Sequence, residues 1–191
     1  DELVGGDASE LRRPTFLAIV SSHILATMLA KNIATPVDGF VVEGPTAGGH
    51  NAPPRGKMTL TAEGEPEYGA RDVPDMEVIR DLGLPFWIAG SQAEPERLHE
   101  ALAAGAAGIQ VGTAFAFCEE SDLRADLKAG VLEKSRRGEA RVFTDPLASP
   151  TGFPFKVVPL EGTLTDPIVA KARTRICDLG YLRTGYVRED G

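Results

Sequence analysis

The sequence has 191 residues, enough for a domain with a core of its own. Hydrophobic residues make up 42% and charged residues 25%, the range of a soluble globular chain and not of a disordered or collagen-like one. Twenty-eight acidic against twenty basic residues leave a formal charge of -8, which argues against nucleic acid as a partner, because phosphate backbones require a surplus of Lys and Arg.

The opening stretch, Asp1-Glu2-Leu3-Val4-Gly5-Gly6, is acidic and lacks the basic-then-apolar layout of a signal peptide. No apolar run approaches the roughly 18 residues of a membrane span. The two cysteines, Cys118 and Cys177, form neither a CxxC pair nor a metal-ligand spacing. They read as two buried structural thiols in a reducing, cytoplasmic setting.

The first strand is expected at 16–20 (Phe-Leu-Ala-Ile-Val), followed by a helix carrying Ile24, Leu25, Met28 and Leu29. A second strand is expected at 39–43 (Gly-Phe-Val-Val-Glu). After a long segment comes a helix with Met76, Ile79 and Leu82 inward and Gly83 as its C-terminal cap. A third strand falls at 86–89 (Phe-Trp-Ile-Ala). It leads into Ser91-Gln92-Ala93-Glu94, which reads as a capping box, and Pro95 in the first turn of a helix with Leu98, Ala101 and Leu102 inward. A fourth strand falls at 108–111 (Gly-Ile-Gln-Val). The helix after it has Leu123, Leu127 and Val131 on one face, with Glu119, Glu120 and Asp122 at its start and Lys134, Arg136 and Arg137 at its end, as the helix dipole favours.

All four strand runs are continuously apolar, the pattern of strands buried on both faces. Strand and helix alternate strictly, which means βα units and a parallel sheet. The segment 51–72, rich in Pro, Gly and charge, is too long for an ordinary connection and follows the C-terminal end of a strand. Sheets of this class bind ligands at that end. The tail at 144–155 holds too many prolines for a helix or a central strand. It reads as an extended arm or a linker, with its Leu and Phe content favouring an arm that packs.

Three places could carry chemistry. In Glu43-Gly44-Pro45-Thr46-Ala47-Gly48-Gly49-His50 a strand ends in a glycine-rich turn and a histidine follows at once. Glycines let backbone approach a ligand closely, and an imidazole can take a proton from a substrate near neutral pH. The alternative is a turn histidine bonded to backbone. Ala89-Gly90-Ser91 and Val111-Gly112-Thr113 are consecutive strand–Gly–helix turns. They form either a phosphate site, with backbone N–H groups and the Thr113 hydroxyl on the oxygens, or two tight turns with no ligand. His23, at a helix start, faces either a site or solvent. His99, beside Glu96 and Glu100, belongs to a solvated face. Arg55 and Lys57 either meet an anionic substrate or are solvated loop charges. No HExxH, P-loop or nucleophile-elbow pattern occurs.

Residues 38–44 followed by Ala47-Gly48-Gly49-His50 resemble the strand-six signature of the nitronate monooxygenase family. Residues 86–91 resemble its strand-seven segment, which usually ends Ala-Gly-Gly, so that Ser91 stands in place of a glycine. Residues 103–115 resemble its strand-eight segment, with Glu119-Glu120-Ser121 fitting what usually follows. Three motifs in register over 14–125 make the resemblance specific.

The resemblance implies a (β/α)₈ TIM barrel with FMN at its C-terminal face, of which this chain carries about four βα units, five to eight, and an extended Pro-rich tail. Residues 1–13 are then a linker, 14–140 the βα units, and 141–191 an extension packing on the barrel. Gly48 and Gly49 would lie beside the flavin, and Ala89, Gly90, Ser91, Gly112 and Thr113 would hold its phosphate. His50 matches the family's catalytic histidine. The implied activity is FMN-dependent oxidation of alkyl nitronates or nitroalkanes with O₂, with a flavin-dependent enoyl-thioester reductase or an inactive interaction module as alternatives. The implied partners are a small-molecule substrate and either an N-terminal half-barrel or a second copy of the chain, with no nucleic acid and no membrane.

Overall fold

The structure, a computed structural model, describes residues 13–149 and 152–174. Two compact units divide the chain. One comprises residues 1–44 with 73–110, the other residues 45–72 with 111–191.

The first unit holds strands β1 (Leu17–Val20), β2 (Gly39–Glu43), β3 (Phe86–Ala89) and β4 (Gly108–Gln110) and helices α1 (His23–Ala30), α2 (Met76–Asp81) and α3 (Pro95–Ala103). The strands pair in chain order, all parallel, as successive βα units do. Each strand falls within a residue of the apolar run that marks it.

Local chemistry sets the helix ends. The Ser22 side chain accepts the Leu25 N–H at 3.1 Å, and Asp75 accepts those of Glu77 and Val78 at 3.0 and 3.2 Å. Gly83 follows the α2 cap residue Leu82 at φ +73°, the left-handed conformation a helix end favours. The capping box expected at Ser91 does not form. The helix begins only at Pro95, its cap is Glu94 in extended conformation, and Glu94 makes no side-chain capping bond. Proline fixes the helix start by its own φ, so the upstream serine is not needed for it.

The core lies around β2. Val20, Phe40, Val42, Ile79 and Phe86 are at most 1% exposed, with Ala26 and Ala101 filling between them. Only β2 is buried along both faces. In β1, Ile19 is 61% exposed between buried Ala18 and Val20. The expectation that all four runs lie buried on both faces is therefore corrected. An edge strand of a four-stranded sheet has neighbours on one side only, and apolar composition does not distinguish edge from centre. Gly39 shows how tightly β2 meets the turn before β3. A side-chain carbon there would come within 2.5 Å of the Pro85 carbonyl oxygen, the same oxygen that accepts the Phe40 N–H at 3.0 Å.

The second unit holds helices α4 (Thr113–Ala116) and α5 (Ala125–Arg136), strands β5 (Phe143–Asp145) and β6 (Phe155–Val157), helix α6 (Pro167–Ala172) and a 3-10 turn at Ala70–Asp72. One helix from 119 onward is not what forms. Lys128 donates to the carbonyls of Cys118, Glu119 and Ser121 at 3.0–3.1 Å and ties off a turn between α4 and α5. Glu119, Glu120 and Asp122 sit in that turn, and Leu123 also precedes the helix. Asp126 in the first turn and Lys134 and Arg136 in the last still match the α5 dipole. Cys118 is half-buried rather than buried, and Cys177 lies outside the described residues. The Pro-rich tail packs as an arm. β5 and β6 pair antiparallel at either end of it, so Pro146 and Pro154 lie outside the ladder. Among the described residues no helix is long and apolar enough to cross a membrane.

Candidate functional site

In the first unit the C-terminal ends of three strands lie level, with Glu43 opposite Ala89 and Ala89 opposite Gln110. Glu43 is half-buried, and burial pushes its carboxyl above the usual range. Gly90 and Ser91 follow β3 at φ +93° and +54°, and Ser91 is exposed. Ser91 thus holds the left-handed conformation of the glycine it replaces. It stands four residues ahead of α3, not at a helix N-terminus, so no helix dipole acts on it directly.

A left-handed side chain costs about 1–2 kcal/mol, and glycine loses more backbone entropy on folding. Ser91→Gly is therefore expected to stabilise the chain by about 1 kcal/mol, read as a shift of the urea unfolding midpoint. A destabilised variant would show that the hydroxyl is worth more than the strain.

His23 is accounted for structurally. Its Nδ1 accepts the Asp75 N–H at 3.1 Å and joins the start of α1 to the cap of α2. His99 is exposed on α3, as expected.

In the second unit the Gly-Gly-His turn is built from its own residues. Asn51 Nδ2 donates to the Ala47 carbonyl at 3.0 Å and closes the turn. Gly49 adopts φ +74°, and its carbonyl accepts the Lys156 N–H at 2.9 Å. His50 pairs antiparallel with Phe155, and the Asn51 N–H reaches the Pro154 carbonyl at 2.8 Å. Residues 49–51 therefore lie as a further short rung beside β6. The imidazole of His50 is half-buried. Its edge meets the Phe155 ring at 4.7 Å between centroids and 85° between planes, and its Nε2 lies 2.7 Å from Ser149 Oγ. Asn51 is 5% exposed, and its Oδ1 has no hydrogen-bond donor among the described residues.

The long segment 51–72 joins the same construction through Glu65. One carboxylate oxygen accepts the Thr144 N–H at 2.7 Å, and the other accepts Arg141 at 2.9 Å. The Thr144 amide, then Arg141, hold the Glu65 carboxyl below its ordinary range. Lys156 donates to Thr144 Oγ1 at 2.5 Å, and burial pushes its ammonium down. Arg55 donates through its backbone N–H to Asp72 at 2.8 Å and through its side chain to the Arg71 carbonyl. Lys57 is exposed.

Gly112 caps α4 and Thr113 is its first residue, both exposed. With four residues, α4 adds less positive potential at its start than a full helix would. A side-chain carbon added to Gly48, Gly49 or Gly112 would meet no atom within 4 Å. Backbone is thus approachable at three of the positions assigned to a flavin, which fits a flat, phosphate-bearing cofactor. Ser149, Phe155 and Glu65 escape sequence reasoning. They lie 15 to 105 residues from His50, and nothing in their spacing signals the pairing.

A family model described as nitronate monooxygenase matches residues 10–143. A nitronate monooxygenase of Pseudomonas aeruginosa is 34% identical over 128 residues, which are 65% of this chain and 34% of that protein. A probable nitronate monooxygenase of Bacillus subtilis is 33% identical over 97 residues, 51% of this chain and 26% of that protein. The chain thus spans about a third or less of the length of these relatives. Among solved structures, FabK from Thermotoga maritima aligns with a TM-score of 0.51 at 23% identity, over 82% of this chain and 41% of that one. That likeness concerns the fold alone, which is of the TIM-barrel type, with four consecutive βα strands in this chain.

Proposed function

The chain belongs to the nitronate monooxygenase family, and from that premise we propose that it forms βα units five to eight, residues 14–140, of an FMN-dependent oxidoreductase acting on alkyl nitronates or nitroalkanes. Bound FMN would carry electrons from the substrate to O₂. The remaining chemistry falls to the chain itself.

The observation that carries this reading is the locked Gly-Gly-His turn. Open space at Gly48 and Gly49 leaves room for a flat ring, and the imidazole beside it is held on two sides. His50 takes the proton from the carbon next to the nitro group, a step an imidazole performs near neutral pH. Backbone N–H groups at Ala89, Gly90, Ser91 and Gly112, with the Ser91 and Thr113 hydroxyls, are the groups that would hold the FMN phosphate. The segment 51–72 borders the substrate and sets its size.

The chain needs an N-terminal half-barrel, with a second copy of itself as the other candidate. Phe16, just before the edge strand β1, Ile19 on it, and Ile24 and Met28 on α1 are 54%, 61%, 59% and 66% exposed, and such a surface is a liability unless covered. A reducing, cytoplasmic compartment suits the reading.

The test is an absorption spectrum of the chain, alone and mixed with the N-terminal half of a relative, after incubation with FMN and removal of free flavin. Retained flavin bands and nitronate-dependent O₂ uptake in either sample are expected. Colourless protein in both would sink the proposal. Retained flavin with NADH consumption on an enoyl thioester, and none on nitronate, would replace it with the reductase reading.

A further inference from the structure

We propose that Ser149 is the positioning residue of His50: its hydroxyl fixes the orientation of the imidazole, so that the Pro-rich tail completes the proton-transfer apparatus. The inference rests on the reading of His50 given above and adds a residue to it.

Ser149 Oγ stands 2.7 Å from His50 Nε2 across 99 residues of sequence, and Ser149 is 9% exposed. A bond of that length between two groups so far apart in the chain forms only if the backbone presents both. Here it does. The Asn51 N–H binds the Pro154 carbonyl, the Lys156 N–H binds the Gly49 carbonyl, and His50 and Phe155 face each other as a bridge. The Ser149 carbonyl in turn accepts the Gly152 N–H at 3.2 Å, which closes the bend that carries the serine. The tail and the Gly-Gly-His turn are therefore one hydrogen-bonded object around the ring.

An imidazole attached to a chain can still rotate about its own bond and exchange its proton between two nitrogens. The perpendicular contact with Phe155 restricts the rotation. It does not tell a ring from its half-turn, because an aromatic ring presents no acceptor lone pair and no strong donor. The Ser149 hydroxyl at Nε2 does, since a half-turn would put a ring carbon in the place of that nitrogen and lose the bond. Serine also suits a ring that must gain and lose a proton, because its hydroxyl can donate to a bare nitrogen or accept from a protonated one by turning about a single bond.

The test is nitrogen NMR of the histidine rings in the 191-residue chain labelled on histidine, comparing the parent with Ser149→Ala and Ser149→Thr. His50 is assigned by the signal lost in His50→Gln. The same His50 Nε2 shift is expected in the parent and in Ser149→Thr, and a displaced one in Ser149→Ala. An unchanged circular dichroism spectrum and, in a uniformly labelled sample, unchanged backbone amide shifts of residues 113–145 show that the fold of the second unit is kept. An Ser149→Ala spectrum whose His50 shifts match the parent would overturn the proposal, and so would a Ser149→Thr spectrum that matches Ser149→Ala with the fold kept. In an active preparation, Ser149→Ala should lower kcat on a nitroalkane by about 10- to 100-fold, the range for removing a group that orients a functional histidine, with KM little changed. A loss confined to KM would overturn it. The NMR result is independent of turnover. If His50→Gln proves harmless to activity while the displaced Nε2 shift is seen in Ser149→Ala, it is the proposed function that fails and not the pairing.

Discussion

Replacing His50 with glutamine is expected to lower turnover of a neutral nitroalkane by at least about a hundredfold, the usual worth of a placed general base. A nitroalkane must shed a proton from carbon before its electrons can leave, and water at neutral pH does this slowly. A nitronate has already shed that proton. The same variant should therefore keep a much larger share of its activity on the nitronate, and the ratio of the two losses reads out the role of the imidazole directly. Glutamine preserves bulk and hydrogen-bonding ability, so Ser149 and Phe155 keep a neighbour. O₂ uptake with each substrate, on protein whose flavin bands match the parent's, is the measurement. Equal losses on both substrates would assign His50 to binding rather than to proton removal. No loss on either would remove it from the reaction.

The second large effect concerns the core. Phe40→Ala is expected to cost about 3–5 kcal/mol of stability, the range for emptying a buried phenylalanine site. Phe40 is fully buried at the start of the central strand, opposite Ala18 on one side and Phe86 on the other. The sheet cannot close over the gap, because Gly39 already sits against the Pro85 carbonyl and the Phe40 N–H is bonded to that same oxygen. Domains of this size are stable by only about 5–15 kcal/mol, so the variant should lie near the threshold of folding. Urea denaturation followed by circular dichroism measures it. A loss below about 1 kcal/mol would mean that the site collapses freely and that β2 is not the centre of the core.

The four strands could be placed from sequence because continuous apolar runs of four or five residues between glycines and helix caps have few other uses, and β2 matches its run residue for residue. The exposure of Ile19 could not be read, since it depends on where β1 stands in the sheet and not on its composition. Ser91 misled in a different way. A serine ahead of Glu94 and Pro95 looks like a helix cap, but Ser91 follows a strand-end glycine and inherits that glycine-like turn geometry, while proline starts the helix unaided. Gly48, Gly49 and His50 stand out in the sequence as candidates because two glycines and an ionisable ring follow one another in the turn after a buried strand. Ser149, Phe155 and Glu65 do not. Their partners lie far along the chain, and one sequence carries no signal of which distant residues meet. The apolar content of the tail is a poor guide to its packing: Leu147 and Phe153 are exposed, and the tail is held by Phe155 and by backbone hydrogen bonds to Gly49 and Asn51.

Glu65 has a bearing on how this protein can be rebuilt. Its carboxylate fastens the 51–72 segment to Thr144 and Arg141, roughly eighty positions downstream. A chimera whose 51–72 segment came from a relative without this carboxylate would leave the Thr144 amide and Arg141 without their acceptor, and a tail without Arg141 would leave Glu65 with one donor fewer. The two stretches form a single heritable cassette split across the chain, so they should be transplanted, randomised or compared among relatives as a pair.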